Sequence, residues 1–277
     1  MTISRNTEKM LKSVEIYASE NSSPRKIAGL KPFLKSYFPT VDVRTKPSIL
    51  TSPESMEMGR LASELASARV KDVSGPLQSF EPMYGEVDYE LRSLRGKARV
   101  GGIVYDGRRL EDLLLHHMLR RQSLETASIV LTDRLVSTFS TDDLRHHLRT
   151  IVCGFPSIVS VPGIVEAPAK PREFYLMKQR LEMVGSGDLE MEKLKTLFRK
   201  RFIDYGDART GHVLEGLVLQ AVVFHLTLEP FCSNPDCRFF NAHWQEDLIR
   251  TQVESPRLCA KHERLLVRAA KNPVIGW

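Results

Sequence analysis

The sequence predicts a mixed α/β fold, a mixed sheet with flanking helices, that ends in a small metal-binding subdomain. Three observations predict it. Strand-like and helix-like segments alternate from Ser13 to Val161, helix-like segments dominate afterwards, and three of the four cysteines gather near the C-terminus.

Ser13 to Ala18 alternates apolar and polar residues and favours a strand. Ser23-Pro24 then reads as an N-cap followed by proline in the first helical turn. That helix runs to Tyr37 with Ile27, Leu30, Leu34 and Tyr37 on one face, and Pro32 threatens a kink. Val41 to Arg44 is the next strand. Ser52-Pro53-Glu54 opens a second helix reaching Lys71, with the acid near its N-terminus. Residues 72–98 are rich in Gly, Pro and charge and read as a long connection.

Arg99 to Tyr105 reads as a strand stopped by the turn-forming Asp106-Gly107. Arg109 to Arg121 carries Leu110, Leu113, Leu114 and Met118 at helical spacing, and Ser128 to Asp133 is an apolar strand. His147 to Cys153 and Ser157 to Val161 are two further strands. Pro168 and Pro171 bracket a turn before helices over Phe174–Met183, Leu189–Arg201 and Gly211–His225. The expected organisation is residues 1–226 as an α/β domain and 227–277 as the metal-binding subdomain.

With 42% apolar and 27% charged residues the composition is that of a globular protein. No apolar run approaches the roughly 20 residues of a membrane helix, so no membrane partner is expected. Met1 to Asn21 lacks an apolar signal core, and the expected location is the cytoplasm. A reducing compartment argues against disulfides. The formal charge of +6 and the basic groups Arg92, Arg95, Lys97, Arg99 and Arg199–Lys200–Arg201 leave nucleic acid as a weak candidate partner.

The cysteines form Cys232-x4-Cys237-x21-Cys259-x2-His262. Zinc takes four sulfur or nitrogen ligands in a tetrahedron, and two short paired spacings present two ligands from each of two turns. Asn234-Pro235-Asp236 turns the first half, and Cys259 to His262 opens a helix. One structural Zn2+ is therefore expected on Cys232, Cys237, Cys259 and His262, with His243 the alternative fourth ligand. Cys153 stays outside the pattern as a core residue.

Other candidates for chemistry are sparse. His212 and Glu215, like His243 and Glu246, have the His-x2-Glu spacing that places both side chains on one helical face. The adjacent pairs His116-His117 and His146-His147 read as surface or boundary residues. Thr132-Asp133-Arg134, at a strand end, reads as a cap or turn. No phosphate loop, dinucleotide fingerprint or serine-nucleophile motif is present.

The C-terminal pattern resembles that of the archaemetzincins, zinc metallopeptidases whose motif is His-Glu-x2-His-x2-Gly-x2-His-Cys-x4-Cys-x-Met, then a spacer and Cys-x2-Cys. In that family the histidines hold catalytic zinc and the cysteines a second, structural zinc. Cys232, Cys237 and Cys259 match three of these cysteines, after a slightly longer spacer for the third, and His262 replaces the fourth. In the catalytic half, His225 matches the second histidine. Ala221, Val222, Leu228, Phe231 and Phe239 stand at the first histidine, the glutamate, the glycine, the third histidine and the methionine. Glu166 to Glu173 and Asn241 to Gln245 also resemble an archaemetzincin-related family described as metallopeptidases.

The resemblance implies a zincin-like, metzincin-type fold with structural zinc and a degenerate catalytic centre. The expected function is that of a non-catalytic binding or regulatory protein, with a peptide or protein in the former substrate cleft. The alternatives are a zinc metallopeptidase with a centre rebuilt from His225, His212 and Glu215 or His243, and a zinc-stabilised nucleic-acid-binding protein.

Overall fold

The computed structural model describes residues 9–22, 27–50, 58–76, 78–98, 101–118, 123–185 and 187–277. The order is β1 (Ser13–Tyr17), α1 (Leu30–Tyr37), β2 (Asp42–Lys46), α2 (Met58–Ser67), α3 (Tyr84–Leu94), β3 (Val104–Asp106), α4 (Gly107–Met118), β4 (Thr126–Thr132), β5 (Leu135–Ser140), β6 (Arg145–Arg149), β7 (Ile151–Val152) and β8 (Ser157–Ser160). Helices follow: α5 (Gly163–Glu166), α6 (Arg172–Met183), α7 (Asp188–Phe198), α8 (Thr210–Thr227), α9 (Gln245–Ile249), a π-helical turn over Arg250–Glu254, and α10 (Ala260–Lys271). The Ser23-Pro24 and Ser52-Pro53-Glu54 starts, and Arg99, lie outside the described residues.

A five-stranded sheet has the order β2-β1-β4-β8-β7. Its first four strands are parallel and β7 runs antiparallel at the edge. Both faces are buried, and period-2 alternation sorts the side chains. Ile16, Ile129, Ile151 and Val159 face α1, α8 and α10. Their neighbours Tyr17, Val130, Val152 and Ile158 face α2 and α4. Phe174, Leu194, Phe198 and Phe202 form a separate small core under α6 and α7. No helix of the described residues is long and apolar enough to cross a membrane.

The main core runs across residue 226, since Cys237, Phe239, Leu266 and Ala269 join the cluster that contains α8. Gly216 permits this close approach. A Cβ there would lie 1.8 Å from Gln252 Oε1, and Gln252 Nε2 in turn donates to the Arg238 carbonyl at 2.6 Å.

The structure departs from the sequence reading in several places. The connection over 72–98 contains α3. Its inner face carries Val87, Leu91 and Leu94 at helical spacing against the α2 and α4 core, with the fully buried Glu90 beside them, and the surrounding Gly, Pro and charge obscure that short period in the sequence. Asp106-Gly107 is no turn: Asp106 Oδ1 accepts the N–H groups of Arg108 and Arg109 at 3.0 Å, and β3 feeds straight into α4. The stretch His147–Cys153 belongs to two sheets, β6 pairing with β5 and β7 with β8. On β6, His146 is buried and its Nδ1 lies 3.1 Å from the Ser137 hydroxyl.

Thr132-Asp133-Arg134 does more than cap a strand. Thr132 Oγ1 and the Asp133 N–H donate to the Glu20 carboxylate. Arg134, wholly buried, bridges Glu20 and Glu90, with 2.8 Å to Glu90 Oε2. Arg69 and the Tyr105 hydroxyl complete this network on Glu90 Oε1.

Candidate metal centre and adjoining cleft

Four donors converge at the C-terminal end of the fold. Cys232 and Cys237 flank a tight turn in which the Asp236 N–H donates to Asn234 Oδ1 at 2.9 Å. The Cys237 N–H donates to the Asn234 carbonyl at 3.1 Å. The Cys232 N–H donates to the Phe239 carbonyl at 2.8 Å, which closes the loop. Cys259 is the N-cap of α10 and His262 lies one turn on, so both side chains meet at the same helix end.

Cys232 Sγ and Cys259 Sγ are 3.8 Å apart. His262 Nδ1 is 3.5 Å from Cys237 Sγ and 3.2 Å from Cys259 Sγ. All four ligand atoms lie within 4.8 Å of one another. A tetrahedral zinc with bonds of about 2.0–2.3 Å sets its donors about 3.3–4 Å apart, and three thiols with one imidazole are a closed structural set. The donors fit Zn2+.

The electrostatics suit a metal. Burial pushes the Cys237 thiol up to about 12, so without a cation it stays protonated. Burial also opposes ionisation of Cys259, but the His262 N–H and the neighbouring thiols bring it below its ordinary value. Burial and then the Lys261 charge lower His262, which keeps the imidazole in the neutral form that binds metal. Phe239 packs edge-on against the His262 ring, centroids 4.9 Å apart.

His243 does not join this group. It is exposed, just before α9, and its carbonyl accepts the Ala169 N–H at 2.8 Å. Among the described residues no second group of three or more metal-binding side chains converges. His212 and Glu215 are 3.6 Å apart on α8, but His212 is exposed and Glu215 also faces Arg238 at 3.9 Å. His225 is buried on the same helix with Nε2 2.7 Å from the Leu124 carbonyl, against Phe155. Burial lowers its pKa, so it stands there as a neutral donor.

Beside the metal centre a cleft of about 630 Å³ opens between the end of α8 and the edge strand β7. Phe224, Leu228 and Phe231 line it together with Ile151 and Cys153, and the charged side chains on it are Arg108, Glu111 and Arg149. Cys153, expected in the core, is half-buried on this wall, and burial pushes its thiol up to about 12.

The family described as "Probable metallopeptidase family (DUF6775)" matches residues 10–269. The chain belongs to this family. No curated protein matches it. Among solved structures it is similar to an archaemetzincin from Methanopyrus kandleri, at 15% identity over 98% of this chain and 99% of that one, with a TM-score of 0.45. It is also similar to a zinc-dependent peptidase from Methanocorpusculum labreanum, at 13% identity over 91% of this chain and 99% of that one, with a TM-score of 0.40.

Ala221 and Val222, which the resemblance sets at the first histidine and glutamate positions, are 1% and 0% exposed inside the apolar core. Leu228, at the glycine position, ends α8 with φ 58° and ψ 8° and donates its N–H to the Phe224 carbonyl at 2.7 Å. That left-handed turn is one that favours glycine. A leucine pays a steric cost there of about 1–2 kcal/mol. Leu228→Gly should stabilise the protein by about 0.5–1 kcal/mol once the freer unfolded chain is counted. A higher urea midpoint at constant m checks this, and a lower one contradicts it.

The basic run at 199–201 is partly neutralised, since Arg201 pairs with Glu173 and Glu246.

Proposed function

We propose that the protein is a zinc-stabilised, peptidase-derived binding protein that takes polypeptide into the cleft between α8 and β7 without hydrolysing it. The carrying observation is the burial of Ala221 and Val222 where a peptidase needs a metal ligand and a base. Neither side chain can bind a cation or accept a proton. Phe231, in the cleft at the third ligand position, cannot either. His225 spends Nε2 on the Leu124 carbonyl, and one imidazole cannot supply the roughly three ligands of a catalytic zinc. The Cys232, Cys237, Cys259 and His262 set offers no open position for water when zinc is bound.

The edge strand supports the binding half of this reading. An unpaired sheet edge is a template for an extended chain, and β7 is the outer strand beside the cleft. Purified protein should carry one zinc per chain and show no chelator-sensitive cleavage of unstructured peptides. Two zinc ions per chain, or cleavage abolished by chelator and by a folded His225→Ala variant, would instead favour a rebuilt peptidase centre.

A further inference from the structure

The cleft is not uniform. Phe224, Phe231 and Phe155 give it aromatic lining, while Arg108 and Arg149 give it positive charge. Arg149 closes β6 one residue before the edge strand and is half-buried. Its Nε donates to Thr138 Oγ1 at 2.7 Å, and no carboxylate among the described residues pairs with it. Burial and then the charge of Arg108 lower its pKa, and Asp143 offsets this in part. The remaining guanidinium N–H groups have no partner among the described residues.

Asp143, the acid whose charge reaches Arg149, is itself paired with Arg145 and His147, and the acid that lines the cleft, Glu111, is committed too. Glu111 Oε2 accepts Arg108 Nη1 at 2.9 Å, and Glu111 Oε1 accepts the Phe155 N–H at 3.0 Å. Gly154 makes room for that carboxylate, because a Cβ there would lie 1.7 Å from Glu111 Oε1. Arg108 thus has a carboxylate partner in the cleft, and Arg149 has none within ion-pair distance among the described residues. A guanidinium partly removed from water and lacking its anion is unfavourable. It is also the group whose fork matches a carboxylate with two parallel hydrogen bonds.

We infer that the basic part of the cleft anchors a carboxylate of the bound peptide, with Arg149 as its direct partner and Arg108 beside it. This rests on the peptide-binding reading above and names the chemistry the cleft selects. A single guanidinium without a directly paired acid suits one carboxylate better than a polyanion, whose binding depends on neutralising several phosphates. The carboxylate comes from a C-terminus or from an acidic side chain, and both present the same two oxygens. The aromatic lining then receives an apolar side chain of the same peptide.

The test uses the full zinc-loaded chain and three pools of dye-labelled random hexapeptides: free acids, C-terminal amides, and amides with one fixed glutamate. Affinity is read by fluorescence anisotropy at low salt. One carboxylate-bearing pool should bind at least about tenfold more tightly than the plain amides. Preference for the free acids assigns a C-terminus, and preference for the glutamate amides assigns a side chain. Arg149→Gln should bring that pool to the plain-amide level, while Arg149→Lys should keep part of the preference. Both variants should melt within a few degrees of the parent protein. Equal binding of all three pools, weakened alike by Phe231→Ala, would overturn the carboxylate anchor and leave the cleft reading standing. No binding of any pool would overturn both.

Discussion

Cys237→Ala should abolish stoichiometric zinc binding and lower stability by at least about 3–5 kcal/mol. Cys237 is completely buried and lies in the same core cluster as α8, Phe239, Leu266 and Ala269. Structural zinc in small cysteine–histidine sites binds with an apparent free energy of about 10–16 kcal/mol, and that energy counts as folding energy. Three remaining donors hold the ion less tightly, and the loop from Cys232 to Phe240 loses its cross-link to α10. A strong chelator should act on the parent protein in the same direction. Metal content, melting temperature and limited proteolysis after residue 227 check this together. An unchanged melting temperature with one zinc retained would show that these four side chains are not its ligands.

Glu90→Leu should cost about 3–5 kcal/mol, although the new residue is apolar and of similar size. Glu90 is 0% exposed and receives Arg69, Arg134 and the Tyr105 hydroxyl. Removing it strands guanidiniums in the interior. Only Arg134 retains a second carboxylate, Glu20. Burial is the main reason the Tyr105 hydroxyl stays protonated, and Glu90 adds to it, so Tyr105 donates to this cluster. Glu90→Gln keeps an acceptor and should fall between the two. Urea midpoints measure the series. A loss below about 1 kcal/mol in Glu90→Leu would mean that water reaches the network and screens it.

The two sites differ in how well the sequence announces them. The zinc ligands are legible because each half is local: Cys232 and Cys237 share one turn, and Cys259 and His262 share one turn of α10. Ligand spacing within a turn is a sequence property, and His262 belongs to it where His243 does not. The Glu90 network is illegible for the opposite reason. Its members Glu20, Arg69, Glu90, Tyr105 and Arg134 are scattered along the chain. Each by itself looks like a surface residue.

The same contrast runs through the fold. The sequence by itself determined the strand–helix alternation around β1, β2, β4 and β8, the helical second half and the paired cysteine turns. Apolar period and turn chemistry act over a few residues and are written in order. Tertiary structure alone decided that α3 buries a carboxylate, that β6 and β7 part into different sheets, and that Arg149 faces the cleft without a directly paired acid. Those outcomes depend on which distant charges meet in the interior and which do not, and a guanidinium acquires or lacks its partner only when the chain has closed around it.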